Sequence, residues 1–173
     1  MKKQQYAPSS AEEERFLREY NPSKYPKAGF AVDVNLFAYD EEAGKLWVLL
    51  IERGGYPYKG CYAFPGGFMD MDETAEQAAA RELEEETGYK AGCMEPLLSL
   101  RTTVAFCNEM IDVYLARDLT KGHQHLDEAE SIEVGAYELS DLMGRIFAGK
   151  IQDGKTVSGI LAYYAKMQEE QQA

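Results

Sequence analysis

The chain has 173 residues, enough for one domain around a single core and too few for two full ones. Hydrophobic residues make up 45% and charged residues 28%, a globular balance that excludes wholesale disorder. Against 30 Asp plus Glu stand 18 Lys plus Arg, a formal net charge of −12. So acidic a chain offers no electrostatic handle for DNA, RNA or an anionic membrane, and an anionic substrate must be held by metal ions or a few local bases.

Residues 1–28 read as an arm. Ser10 with Glu13 has the spacing of a capping box, which predicts a short helix to Tyr20, stopped by Asn21-Pro22. From Gly29 to Tyr39, Phe30, Val32, Val34 and Leu36 alternate with Ala31, Asp33 and Asn35, the pattern of a half-buried strand. Lys45 to Arg53 is a second strand, apolar from Leu46 to Ile51 and therefore central. Gly54-Gly55-Tyr56-Pro57 breaks it, and a short extended piece, Cys61 to Phe64, leads into Pro65-Gly66-Gly67.

A helix is expected from Thr74 to Thr87, capped by Asp72 and ended by Gly88. Further strands are expected at Leu97–Arg101, Met110–Ala116 and Ser131–Tyr137, with a polar loop from Asp118 to Glu130. Two helices close the chain, Asp141 to Ala148, stopped by Gly149, and Gly154 to Gln168, opened by Asp153. Strands around a central helix, with two more helices at the end, indicate layers of helix on sheet.

Three cysteines, Cys61, Cys93 and Cys107, form no CxxC or Cys/His zinc spacing and read as reduced thiols suited to a reducing cytoplasm. The opening MKKQQYAPSSAEEE lacks the apolar run of a leader, and Leu46–Ile51 is far short of a membrane span. These features predict a cytoplasmic protein with no membrane partner.

The informative segment is the acidic helix. At 100° per residue Glu82, Glu85 and Glu86 share a sector about 100° wide, while Glu84 points the other way. Ala75 and Ala78 fall on the same stripe, which leaves space above it for a ligand. A solvated acidic face is the ordinary reading of such a run. Two energies oppose it here: like-charge pairs at i,i+3 and i,i+4 cost roughly 0.2–0.5 kcal/mol each. Carboxylates in the last turns of a helix cost roughly another 0.3–1 kcal/mol against the macrodipole. Hard oxygen donors packed this way fit Mg²⁺ or Mn²⁺.

The residues from Gly67 onward resemble a known signature. Gly67, five residues, Glu73, seven residues, then Arg81-Glu82-Leu83-x-Glu85-Glu86-x-Gly88 matches the box of the Nudix hydrolases. Tyr89 stands where an aliphatic residue is usual, and Tyr62 where many members carry Trp. The resemblance implies an α/β (α+β) fold, a Nudix-type α/β/α sandwich with a mixed central sheet over residues 29–173. It also implies hydrolysis of a nucleoside diphosphate linked to another group. By position, Glu82, Glu85 and Glu86 resemble the metal ligands for Mg²⁺ or Mn²⁺, and Gly66 the residue whose carbonyl completes the shell. Glu85, Glu86 and Arg81 are thereby implied in catalysis, with Glu73 and Arg81 as an ion pair fixing the loop against the helix. The resemblance further places a catalytic glutamate in the polar loop, with Glu128 and Glu130 as candidate general bases.

The flanks resemble the ADP-ribose pyrophosphatase branch at Phe106-Cys107-Asn108-Glu109, at Ile111 to Ala116, at Leu126 to Val134 and at Asp153 to Thr156. Val104 stands where many of these enzymes carry proline. Members of that branch are often dimers, and the arm of residues 1–28 is a candidate for such a homodimer contact. The substrate implied is ADP-ribose, cleaved to AMP and ribose 5-phosphate; a nucleoside triphosphate or dinucleoside polyphosphate is the alternative. The first half, notably Tyr25-Pro26 and Arg53 to Phe64, is also similar to the Nudix domains of bacterial regulators of NAD metabolism, so a non-catalytic ADP-ribose sensor is the alternative of another class. Arg53 and Arg101 are candidates for phosphate contact and Phe106 for stacking on a base, as are Tyr56 and Tyr58 beside Lys59. His123 and His125 read as solvated residues of the polar loop.

Overall fold

The computed structural model describes residues 10–19, 30–40, 42–56, 58–104, 108–126 and 130–172. Of the arm, this leaves the helix α1 (Ala11–Glu19), where Ser10 Oγ accepts the Glu13 N–H at 3.1 Å as the capping spacing predicts. The Ser10 hydroxyl also lies 3.0 Å from the Tyr56 hydroxyl, which ties α1 to the turn after the second strand. Asn21-Pro22, Tyr25-Pro26, Phe106, Cys107 and Glu128 lie outside the described residues.

β1 (Phe30–Asp40) and β2 (Lys45–Arg53) pair antiparallel, followed by the short β3 (Tyr62–Ala63) and β4 (Gly66–Phe68). The helix α2 (Ala75–Thr87) leads through β5 (Tyr89–Lys90) to β6 (Cys93–Arg101) and β7 (Met110–Arg117). After β8 (Thr120–Lys121) come β9 (Ile132–Glu138), α3 (Leu139–Phe147) and α4 (Gly154–Gln172). Seven strands form one sheet along the path β3-β2-β1-β7-β6, with β4 paired to β1 and β9 to β2; β5 and β8 form a separate two-stranded piece. The β1–β7 pair is parallel and the others antiparallel, which makes the sheet mixed as expected.

Alternation along β1 sorts the two layers. Val32, Val34 and Leu36 join Ala78, Ala79 and Leu83 of α2 in one core, while Val48, Leu50 and Phe64 pack with Leu139, Leu142, Ile151 and Ile160 in a second. The opposite face of β1 is not open to water, contrary to the half-buried strand that the pattern predicts. Asp33 is 2% exposed and Asn35 is 0% exposed, because α4 covers them. Gly159 permits that approach, since a Cβ there would strike the Asn35 amide and the Phe64 ring.

Local chemistry accounts for the ends of the elements. α2 is capped by Thr74 rather than Asp72: the Thr74 hydroxyl accepts the Gln77 N–H at 3.2 Å and Gln77 Oε1 accepts the Thr74 N–H at 2.9 Å. Gly88 ends it at φ 72°, a left-handed conformation that costs glycine little. Ala78 is fully buried in the core, so the space expected above it does not exist. β6 starts four residues earlier than predicted, because a register shift between Pro96 and Leu98 lets this edge strand carry a proline. At α4, Asp153 Oδ2 accepts both the N–H (3.0 Å) and the hydroxyl (2.7 Å) of Thr156, whose oxygen in turn accepts the Phe64 N–H at 3.0 Å. Among the described residues no helix is long and apolar enough to cross a membrane.

Candidate active site

The site is assembled where β4 passes beneath α2. β4 pairs with β1 through Val32 opposite Gly67 and Asp33 opposite Gly66, and the Val34 N–H donates to the Pro65 carbonyl at 2.8 Å. This lays the two glycines directly under the helix. A Cβ on Gly67 would collide with the Glu82 carboxylate, and one on Gly66 with Asp33 and the Val32 carbonyl. The Gly66 N–H donates to Glu86 Oε2 at 2.8 Å. Backbone therefore reaches carboxylates that any side chain would push away.

Arg81 organises the other side. Its guanidinium makes a two-point contact with Glu73, Nη2 to Oε1 at 2.7 Å and Nε to Oε2 at 3.1 Å, and donates to the Phe68 carbonyl at 3.2 Å. Nη1 donates to Glu82 Oε1 at 2.9 Å and to Glu85 Oε2 at 3.0 Å. Glu73 also accepts the Asp70 N–H at 2.7 Å, so the loop from 69 to 73 is fastened to the helix by one carboxylate. Arg81 holds that carboxyl below its ordinary range, with the Asp70 N–H adding to the effect. Glu84 points away as its angle predicts, and pairs with Lys90 at 2.8 Å.

These contacts change the charge argument made from the sequence. The repulsion expected among the three glutamates is met at Glu82 and Glu85 by Arg81. It persists at Glu86, 5% exposed, where burial pushes the carboxyl up to about 8 against the opposing effect of the Gly66 N–H. Burial likewise raises Glu82 to about 7, with Arg81 pulling the other way. Asp33, on the neighbouring strand, is raised to about 7, again chiefly by burial.

The loop after β7 closes the site from the C-terminal end of α2. The Gly122 N–H donates to the Gly88 carbonyl at 2.6 Å, the His125 N–H to the Glu85 carbonyl at 2.9 Å, and the Gln124 side-chain amide to the Glu86 carbonyl at 2.7 Å. Helix carbonyls that have no partner within the helix are thereby satisfied, and the loop is held against the acidic face. Its continuation brings Glu130 to a cavity of about 200 Å³ lined by Gly66, Gly67, Phe68, Arg81, Glu82, Glu85, Glu86 and His125.

A second cavity of about 530 Å³ adjoins the first through Gly66, Gly67 and Phe68, and is lined by Asp33, Arg101, Asp153, Lys155 and Ser158 among others. Of the predicted residues, Gly66, Arg81, Glu82, Glu85, Glu86 and Glu130 meet at the smaller cavity and Arg101 at the larger. Arg53 ends β2 opposite Ile132 and lines neither. Tyr56 and Tyr58 also lie away from both cavities. His125 lines the smaller cavity although its loop reads as solvated; His123 does not. Gln124, Asp33 and Lys155 were not foreseen, and only Asp33, a carboxylate inside an apolar strand, carried a signal.

The donor set fits a hard divalent cation. Glu86 is a buried carboxylate and Glu82 lies against a backbone that only glycine allows, two hard oxygen donors whose ionised forms burial disfavours unless a counter-charge joins them. Among the described residues, no three carboxylate, imidazole or thiol groups are already gathered as a cation cage, and Arg81 bridges Glu82 and Glu85.

Comparison with known proteins agrees with this geometry. A family model described as the NUDIX domain matches residues 29–158. The ADPR responsive transcriptional repressor NtrR of Acinetobacter baylyi is 39% identical over 90 residues, 51% of this chain and 35% of that protein. An ADP-ribose pyrophosphatase of Mycobacterium tuberculosis is 32% identical over 139 residues, 72% of this chain and 67% of that protein. The chain thus spans between about one third and two thirds of these relatives' lengths. The NUDIX domain of Shewanella oneidensis NrtR, solved with ADP ribose, superposes with a TM-score of 0.64 at 25% identity, over 90% of this chain and 98% of that one.

Proposed function

The chain belongs to the NUDIX domain family, and from that premise we propose that it hydrolyses the pyrophosphate bond of a nucleoside diphosphate derivative, with ADP-ribose as the substrate. The observation that carries this reading is the convergence of Glu82, Glu85, Glu86, Arg81 and Glu130 on one cavity that opens into a second, larger one. A phosphate placed in the first leaves room in the second for an attached group.

In this reading Glu82, Glu85 and Glu86, with the Gly66 carbonyl, hold Mg²⁺ or Mn²⁺. When bound, such a cation offsets phosphate charge and lowers the pKa of an attacking water. The chain's own residues supply position. The Arg81–Glu73 fork locks the loop to α2, so the carboxylates stand on a helix whose neighbouring loop is already fastened in place. Glu130 takes a proton from the attacking water as general base, from a loop anchored to α2 through Gln124 and the His125 N–H. Glu128, on the same loop, is the other candidate for that role. Arg101 faces the larger cavity as a phosphate contact. Water adds across the bond, giving AMP and ribose 5-phosphate.

The test is a panel of ADP-ribose, nucleoside triphosphates and dinucleoside polyphosphates with Mg²⁺ or Mn²⁺, products being identified by chromatography. ADP-ribose should give AMP and ribose 5-phosphate at the highest kcat/KM. Triphosphates turning over on the order of a hundredfold faster would overturn the substrate, a difference of about 2.7 kcal/mol in barrier. The A. baylyi repressor favours a second reading, an ADP-ribose-binding regulatory domain. Tight binding of ADP-ribose without turnover of any panel member would establish that reading instead.

A further inference from the structure

The backbone that carries Gly66 is held from both layers of the fold. β3 pairs with β2 and β4 with β1, so the chain changes partner strand across Phe64 and Pro65. Proline has no N–H, which leaves Phe64 and Gly66 as the backbone donors of this three-residue crossing. Both go to helix side chains rather than to a neighbouring strand. The Phe64 N–H donates to Thr156 Oγ1 of α4 at 3.0 Å, and the Gly66 N–H to Glu86 Oε2 of α2 at 2.8 Å. Between them the Pro65 carbonyl accepts the Val34 N–H of β1 at 2.8 Å. Three consecutive residues are thus fastened to three different elements.

Thr156 is set up to accept. A hydroxyl has one proton and two lone pairs. Asp153 Oδ2 takes that proton at 2.7 Å and also accepts the Thr156 N–H at 3.0 Å, so the oxygen faces Phe64 as an acceptor in a fixed direction. Thr156 and Phe64 are both buried, and bulk water does not compete for the bond between them. Thr156 lines neither cavity, which separates it from anything that touches a ligand directly.

We propose that Thr156, oriented by Asp153, is a positioning residue for the Gly66 peptide, setting where that backbone stands relative to Glu82, Glu85 and Glu86 from a helix on the far side of the sheet. The role of the Gly66 carbonyl toward a cation rests on the pyrophosphatase reading, but the placement of the peptide is tested without it. Without the hydroxyl, the α4 side of the crossing loses its anchor while the Glu86 and Val34 contacts stay. A displacement of about 1 Å at a reacting centre costs on the order of a hundredfold in rate, so the partial shift left by two surviving anchors should cost about tenfold.

The experiment compares wild type, Thr156→Val, Thr156→Ser and Ile160→Val at a temperature where all are folded. Ile160, buried on the same helix, serves as the packing control. Three readouts are taken: Mn²⁺ titration, amide hydrogen exchange of Phe64 and Gly66 in the metal-free protein, and steady-state kinetics with ADP-ribose. Thr156→Val should weaken Mn²⁺ binding and lower kcat by about tenfold each, leave KM within about threefold, and speed exchange at Gly66 as well as at Phe64. Serine restores the hydroxyl and should return all of these to within about twofold of wild type, and Ile160→Val should match wild type throughout. A Thr156→Val protein that melts lower yet keeps wild-type Mn²⁺ affinity, kcat and Gly66 exchange would make Thr156 merely structural and overturn the proposal. Losses that serine does not restore, or that Ile160→Val shares, would overturn it too. If wild type neither binds Mn²⁺ nor turns over ADP-ribose, the pyrophosphatase reading fails, and Gly66 exchange in the valine and serine variants still decides the placement. Should Thr156→Val fail to fold, Asp153→Ala leaves the hydroxyl in place without its orienting acceptor and should move Mn²⁺ affinity and Gly66 exchange in the same direction; no change in either would overturn the proposal.

Discussion

Raising the pH of the metal-free protein from about 5 to about 8 should destabilise it, with Glu86 as a main contributor. Burial with a single backbone donor holds this carboxyl at about 8 against an ordinary 4.5. A carboxyl whose folded value is raised binds its proton more tightly in the native state. Its stabilising effect is complete below the ordinary value and is lost as the pH rises through the folded one. For an isolated group that interval corresponds to on the order of 3–5 kcal/mol. Glu82 and Asp33, both held near 7, ionise in the same window and share the burden, which leaves about 3 kcal/mol for Glu86 itself. In a domain of this size that is roughly 6–12 °C of melting temperature. The assay is thermal unfolding in chelator across this pH range, for wild type and Glu86→Gln. Glutamine keeps an oxygen for the Gly66 N–H and removes the charge. The variant should melt alongside wild type at the acid end and roughly 6–12 °C above it at the alkaline end. Excess Mg²⁺ should close the gap by stabilising only the wild type. A gap that does not widen with pH would refute the burial argument.

Glu85→Gln should lower turnover at least ~10²-fold, whereas Glu84→Gln, which breaks an ion pair with Lys90 outside the site, should leave the rate within about twofold; steady-state kinetics with saturating Mg²⁺ decide this. Gly67→Ala pushes a methyl into the Glu82 carboxylate and should weaken cation binding, read by Mn²⁺ titration, by roughly tenfold or more while the fold persists; unchanged affinity would remove the close-approach explanation of that glycine. Glu130→Gln should reduce kcat with little change in ADP-ribose affinity, and full activity would transfer the role of base to another residue. Thr156→Val leaves the buried Phe64 N–H without its acceptor and should cost about 1–3 kcal/mol, seen as a drop in denaturation midpoint; a midpoint equal to wild type would show that another acceptor replaces the hydroxyl.

Much of the site could be read directly because a helix converts spacing into direction. Glu82, Glu85 and Glu86 are brought to one cavity by the angle between residues alone, and Glu84 is excluded by the same angle. The same wheel misjudged Ala78, since an angle gives a face and not the distance to the sheet beneath it. Thr74 as the cap was also legible, because Thr74 and Gln77 have capping-box spacing, but Asp72 drew the reading two residues early. Asp33 and Asn35 read as outward-facing because alternation cannot report a helix arriving from more than a hundred residues later. The larger cavity was invisible for a related reason. Asp33, Arg101 and Lys155 come from β1, β6 and α4, and only strand order makes them neighbours. β5 and β8 are two residues long, too short for periodicity to register within a loop.

The contacts of Arg81 bear on how the protein is made. Many small metal sites fold only when the ion arrives, because their ligands repel one another until it does. Here the chain brings its own counter-charge, one guanidinium shared among Glu73, Glu82 and Glu85. The newly synthesised helix can therefore close on itself before any cation is present, and maturation is uncoupled from metal supply. On the proposed cation reading, loading is an exchange of partners at Glu82 and Glu85 rather than the filling of an empty cage. The polypeptide should accumulate folded even in a metal-starved cell.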